Sequence, residues 1–195
     1  GLMGENGAGK STLIKILTGV YPMDSGEILI AGKKVAINSR QDARENGVSV
    51  IYQELSLIPS LTVTENIFLG QELTRHAIVQ KKGMRRRVQE LIDECHFDIH
   101  PDDIVAKLSV AKRQTVEILK ALLMDAKIVV MDEPTASLTT KETETLFDLI
   151  GNLRSRGTSI IYISHRLEEV YRIVDCLTIL RDGCVVGHLE KNEID

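Results

Sequence analysis

A chain of 195 residues, 43% hydrophobic and 27% charged, carries enough apolar material for a buried core under an ordinary charged surface. Its net charge of −4 gives no support to a general nucleic-acid binder, and 4% aromatics with no tryptophan argue against base stacking. Cys95, Cys176 and Cys184 are scattered in no metal-ligand spacing, which fits a reduced compartment, and no apolar run approaches membrane-spanning length.

The first element is a phosphate-binding loop, Gly4-Glu5-Asn6-Gly7-Ala8-Gly9-Lys10-Ser11-Thr12. Glycines let the backbone curl so that successive N–H groups point at phosphate oxygens. Lys10 supplies a point charge for the β- and γ-phosphates, and the Ser11 hydroxyl is a Mg²⁺ ligand. Leu13, Ile14, Ile16 and Leu17 predict a helix whose N-terminal dipole also favours an anion. Because Gly1, Leu2 and Met3 alone precede the loop, most of the strand feeding it is expected before Gly1.

Next, Glu27–Ile30 and Val35–Ile37 are expected to form a hairpin around Ala31-Gly32, followed by a short polar helix ending near Gly47. The strand at 48–52 delivers Gln53 at its end, where open α/β sheets place ligands; a solvated loop glutamine fits that position as well. From Leu55 to about Leu108 the pattern becomes helical and broken by turns, as in a lobe inserted into an α/β core, with segments at Thr64–Leu69 and Arg85–Cys95. The basic run Lys81–Arg87 lies in that lobe; without interleaved aromatics it reads as a solvated loop and first helical turn rather than a nucleic-acid patch. Ser109 is a natural N-cap for a helix with Ala111, Thr115, Ile118 and Leu122 at helical spacing.

Ile128-Val129-Val130-Met131-Asp132-Glu133 has the length and branching of a buried parallel strand, yet it ends in two acids. Unpaired charge is costly to bury, so the acids need a reason. Beside a phosphate loop, Asp132 is the expected Mg²⁺ partner, and Glu133 stands where it can polarise an attacking water. Thr139 and Glu142 form a capping box for a helix to about Ser155, with Leu146, Ile150 and Leu153 on one face. Ser159–Ser164 reads as a strand delivering His165, then Leu167–Val174 as a helix. A last hairpin turns at Asp182-Gly183.

Together these residues resemble the ATP-binding cassette of ABC transporters. Gly4–Thr12 is similar to its Walker A, Gln53 to its Q-loop glutamine, and Ile128–Glu133 to its Walker B. Leu108–Lys112 stands where the signature motif belongs, Pro134–Thr139 is similar to the D-loop, and His165 to the switch histidine. The sequence departs from the pattern at Val110, Ala111 and Lys112, which replace two glycines and a glutamine, and at Thr139, which replaces an aspartate. Connecting segments such as YQELSLIPSLTVTENIFLG look like the first cassette of bacterial monosaccharide importers.

The resemblance implies a P-loop NTPase core of RecA type with an inserted helical lobe and an antiparallel β edge, truncated at its N-terminus. The core would span about 1–54 and 125–195 and the lobe about 55–124, as one cassette of a longer two-cassette chain. It implies ATP as substrate with Mg²⁺, held by Gly4–Thr12, with Ser11, Gln53 and Asp132 around the metal and Glu133, His165 and Gln53 as the catalytic set. Ser109 and Ala111 would reach across to the nucleotide of a second cassette, in the same longer chain or another copy. The implied partners are transmembrane permease subunits and, indirectly, a periplasmic or extracellular solute-binding protein, with no nucleic acid. The implied place is the cytoplasmic face of the cell membrane, held peripherally. A soluble cassette ATPase acting on ribosomes or DNA carries the same motifs, though too few residues separate Gln53 from Ser109 for the long coiled coil of the repair type. A nucleotide-binding cassette without turnover is the third reading.

Overall fold

The computed structural model describes residues 1–52, 56–75, 78–123, 126–136 and 138–194. In chain order, β1 (Leu2–Gly4) is followed by α1 (Lys10–Leu17), β2 (Ile28–Ile30), β3 (Lys33–Val35), α2 (Arg40–Glu45) and β4 (Val48–Ile51). Then come α3 (Val63–Phe68), β5 (Thr74–Arg75), β6 (Ile78–Val79), α4 (Lys81–Cys95) and α5 (Val110–Leu123). The chain closes with β7 (Ile128–Asp132), α6 (Thr140–Ser155), β8 (Ser159–Ile163), α7 (Leu167–Ile173), β9 (Cys176–Arg181) and β10 (Cys184–Glu190).

Two compact units result. One comprises Gly1–Gln53, Ala126–Pro134 and Ile150–Asp195; the other comprises Glu54–Asp125 and Thr135–Leu149. The first holds a six-stranded sheet in the order β10-β9-β1-β8-β7-β4, parallel except for the antiparallel β9–β10 hairpin at its edge. Its central strands are near-continuous apolar runs because a parallel sheet is covered on both faces. Val129, Val130 and Met131 of β7 and Tyr162 and Ile163 of β8 are all buried.

The β2–β3 hairpin forms, but its second strand is Lys33–Val35 rather than Val35–Ile37. Ala31 and Gly32 both adopt positive φ, 50° and 75°, as a two-residue turn requires, so pairing resumes at Lys33 opposite Ile30. Ile37 is left free to bury against Ala43 and Val48.

The second unit is helical. α3 begins with a capping box that the sequence reading passed over: Glu65 N–H donates to the Thr62 hydroxyl at 3.2 Å while Glu65 Oε2 accepts from Thr62 N–H at 3.0 Å. Its core joins Val63, Ile67, Met84, Val88, Val116 and Leu119 from α3, α4 and α5. The basic run falls inside α4 from its first residue, with Lys81, Lys82, Arg85, Arg86 and Arg87 exposed and Met84 and Val88 turned into the core. Arg85 pairs with Asp102 at 2.9 Å and Arg86 with Glu90 at 3.6 Å, so the stripe is a solvated helix face. In α5 the buried positions are Gln114, Val116, Glu117, Ile118, Leu119 and Ala121, a broader face than the expected Ala111, Thr115, Ile118 and Leu122. Among the described residues, no helix is long and apolar enough to cross a membrane.

Leu119 is 0% exposed at the centre of the helical core. Leu119→Ala should therefore cost about 3 kcal/mol, whereas Thr62→Ala, which removes a cap, should cost about 1 kcal/mol. Urea denaturation followed by circular dichroism measures both; equal losses would contradict this ranking.

Candidate functional site

β1, β8 and β7 are neighbouring parallel strands, so their C-terminal ends share one edge of the sheet. Asp132 pairs in register with Ile163, and Gly4 ends β1 on the same side. Whatever follows each strand is delivered to one place: the loop Glu5–Gly9 after β1, Glu133 after β7, and Ser164-His165 after β8.

The loop is held from within and from beneath. Ala8 N–H donates to Glu5 O at 3.1 Å, and Gly183 N–H, at the tip of the β9–β10 hairpin, donates to Ala8 O at 3.1 Å. Gly4 is a close approach: a Cβ there would stand 2.5 Å from the Leu180 carbonyl oxygen and 3.0 Å from the Ala8 Cβ. Gly9 caps α1 at φ 104°, with no side-chain cap among the described residues, which leaves the first amides of the helix for an anion. Lys10 Nζ donates to Gly4 O at 2.6 Å and Glu5 O at 3.0 Å, so the ammonium lies back over the loop. Ser11, Thr12, Glu5, Asn6 and Gly7 are exposed, whereas Ala8 is buried beneath them.

Asp132 is half-buried at the end of β7, and its carboxyl is raised above the ordinary carboxylate range. Burial is the main cause, the Glu133 charge adds to it, and Lys10 acts in the opposite sense. The charge of Lys10 therefore reaches Asp132 although they are far apart along the chain.

Glu133 is not the last residue of the strand, as the apolar run suggested. It sits in the left-handed region at φ 47°, uncommon for a residue with a side chain. Its N–H donates to Ile163 O at 2.9 Å, which ties the turn to the end of β8. This conformation sends its carboxylate to His165, with Nδ1 and Oε1 3.0 Å apart. An ionised carboxylate can only accept, so the proton of that bond lies on Nδ1, and Nε2 is left for another partner. The Glu133 side chain is 22% exposed and that of His165 66%, a shielded acid under an open imidazole.

Lys10, Asp132, Glu133 and His165 are thus brought together. Ser109 and Ala111 belong to the other compact unit, at the start of α5. There the Ser109 hydroxyl accepts from Lys112 N–H at 3.3 Å, and Lys112 Nζ donates to Asp98 at 2.9 Å. Thr139, at the head of α6, makes the expected box with Glu142, its hydroxyl donating at 2.8 Å. Gln53 lies outside the described residues. Sequence reasoning missed the service that the last hairpin does for the loop: Asp182-Gly183 signals a turn, but nothing local says what it touches.

The arrangement can hold a polyphosphate by backbone amides and Lys10, and a divalent cation through Ser11 and Asp132. It can also take a proton from a water near Glu133. Among the described residues, no three His, Cys, Asp or Glu side chains form a cluster able to hold a metal.

The family model for ABC transporters matches residues 1–136. The ribose import ATP-binding protein RbsA of Yersinia pestis bv. Antiqua is 52% identical over 194 residues, covering 100% of this chain and 38% of the relative. The protein of the same name from Chromobacterium violaceum is 48% identical over 195 residues, covering 100% of this chain and 39% of the relative. The chain thus spans under two-fifths of the length of these curated relatives. The fold is shared with a crystal structure of a nucleotide-free ATP-binding cassette from an ABC transporter. That match has a TM-score of 0.87 at 23% identity, covering 99% of this chain and 81% of the other.

The Gly4–Leu180 approach sets a test of how the loop is seated. Gly4→Ala should push the loop off the β9–β10 hairpin and cost about 1–3 kcal/mol, as overpacking does. Hydrogen exchange at the Gly183 amide should accelerate with it; unchanged protection would mean that the loop does not rest on the hairpin.

Proposed function

Because the chain belongs to the ABC transporter family, we propose that it is an ATP-binding cassette that hydrolyses ATP, with Mg²⁺, to power import of a small solute. A monosaccharide of the ribose type is the solute class, supported by two relatives about half identical along this whole chain. The observation that carries the reading is the Glu133–His165 pair at 3.0 Å, beside Asp132 and Lys10 on one sheet edge.

In this reading the amides of Gly7–Ser11 and the Lys10 ammonium bind the β- and γ-phosphates. The Ser11 hydroxyl and Asp132 carboxylate hold Mg²⁺, with Gln53 as a further ligand. When bound, Mg²⁺ neutralises charge on the phosphate oxygens. Lys10 leaves its carbonyl partners for the phosphates, exchanging neutral acceptors for charged ones. Glu133 orients a water in line with the γ-phosphate and accepts its proton, while the Nδ1–H of His165 keeps that carboxylate aimed. The products are ADP and inorganic phosphate. The raised Asp132 carboxyl fits a metal ligand, because a nearby cation stabilises the carboxylate that burial disfavours.

Ser109 and Ala111, at the N-terminus of α5, would serve the nucleotide of a second cassette. Transmembrane permease subunits would carry the solute, with a solute-binding protein acting upstream of them. The cassette would then work peripherally on the cytoplasmic face of the membrane.

Glu133→Gln preserves the shape of the pair with His165 but cannot take a proton. In the complete natural polypeptide, phosphate release should fall by at least about 10²-fold while ATP affinity stays within about threefold. Lys10→Ala should instead weaken ATP binding itself. Undiminished turnover in the glutamine form would remove Glu133 as the base, and a wild type that does not bind ATP would end the reading.

A further inference from the structure

The residues on either side of His165, buried Ser164 and exposed Arg166, hydrogen-bond into a polar cluster that has no part in the phosphate site. Glu169, on α7 and 6% exposed, accepts on Oε2 from the Tyr162 hydroxyl and from the Ser164 hydroxyl, both at 2.8 Å. Its Oε1 accepts from Arg166 Nη1 at 3.3 Å. Ser164 Oγ in turn accepts from Arg166 N–H at 3.0 Å, so one hydroxyl closes the turn on both sides of His165. Tyr162 and Ser164 are themselves 1% and 4% exposed.

Sheet pairing cannot direct His165. Register with β7 ends at Asp132–Ile163, and the turn begins at Ser164. Capping does not direct it either, because α7 starts at Leu167 with no side-chain cap hydrogen bond on Arg166 among the described residues. What crosses the gap is the Glu169 carboxylate, which reaches back from the first turn of α7 to Ser164 and Arg166. The same carboxylate also stabilises the fold, because removing it takes an acceptor from the buried Tyr162 and Ser164 hydroxyls; what sets it apart is that these bonds reach the turn that carries His165.

We propose that Glu169 is a positioning residue for the reaction: it locks the Ser164–Arg166 turn so that His165 Nδ1 meets Glu133 Oε1. This role rests on the ATPase reading and adds a residue to it. Without the carboxylate the imidazole can still occupy its space, but it no longer keeps the acid aimed at the water.

The test is steady-state ATP hydrolysis by the complete natural polypeptide, with the Glu133→Gln form setting the background. Glu169→Leu should lower kcat by about tenfold and leave KM for ATP within about twofold, the signature of lost alignment rather than lost binding. Glu169→Gln keeps an oxygen for both hydroxyls and should return kcat to within about threefold of wild type. If Glu169→Leu does not fold, Ser164→Ala answers the same question. It leaves Glu169 with Tyr162 and Arg166 but opens the turn, and kcat should fall about threefold at unchanged KM. Wild-type kcat in folded Glu169→Leu or Ser164→Ala overturns the role. So does a rise in KM parallel to the loss, or a glutamine form no better than the leucine form. A wild type no faster than the Glu133→Gln background is a different failure: it overturns the ATPase reading, and the positioning role with it.

Discussion

The parallel pairing of β1, β8 and β7 is the constraint on which the rest depends. Parallel strands point their carboxyl ends the same way, so three distant segments finish along one edge. That edge is a row of strand ends whose continuations are free of the ladder, and each continuation carries chemistry. Buried apolar runs secure the register: a one-residue slip of β7 would exchange the faces presented by Val129, Val130 and Met131. The core is what aims the polar residues.

Each polar residue is then set by a device of its own. The phosphate loop is fixed by glycines where backbone must approach backbone, at Leu180 and near Gly183. Glu133 is set by a left-handed turn tied to Ile163 O, a conformation that costs of order 1–3 kcal/mol for a residue with a side chain. Strain of this kind persists where the surroundings over-determine it, and here the end of β8 and His165 just beyond it do so. His165 depends on a buried carboxylate on the following helix. Backbone sterics, strand pairing and a buried polar cluster thus converge on one site, and each restrains a degree of freedom that the others leave open.

The helical unit is built on different terms. Its core is mostly aliphatic with Phe68 and Met84, and most of its charged residues lie on the surface: Arg85 with Asp102, Arg86 with Glu90, Lys112 with Asp98. Exposed pairs of this kind contribute little each, and the lobe owes its stability to Val63, Val88, Val116 and Leu119. A carboxylate is also buried there, where Glu117 accepts from the Ser56 amide and hydroxyl at 2.7 and 2.8 Å. Both units therefore use a buried glutamate to hold a segment that leaves regular structure.

Much of this could be read along the chain, because the features are local. The phosphate loop, the apolar run ending at Asp132 and the Thr139–Glu142 box each depend on residues within a few positions of one another. So do the helix opened by Ser109 and the turn at Asp182-Gly183. Local patterns of period and punctuation come from backbone sterics and burial, which act over that range. Tertiary structure decided what needed a partner from elsewhere. The handedness of Glu133 comes from the Ile163 carbonyl, the seat of the loop from Leu180 and Gly183, and the clamp on His165 from a glutamate on another element. A residue's type states which bonds it can make; which bonds it does make is settled only when the fold brings the other half of each pair within reach.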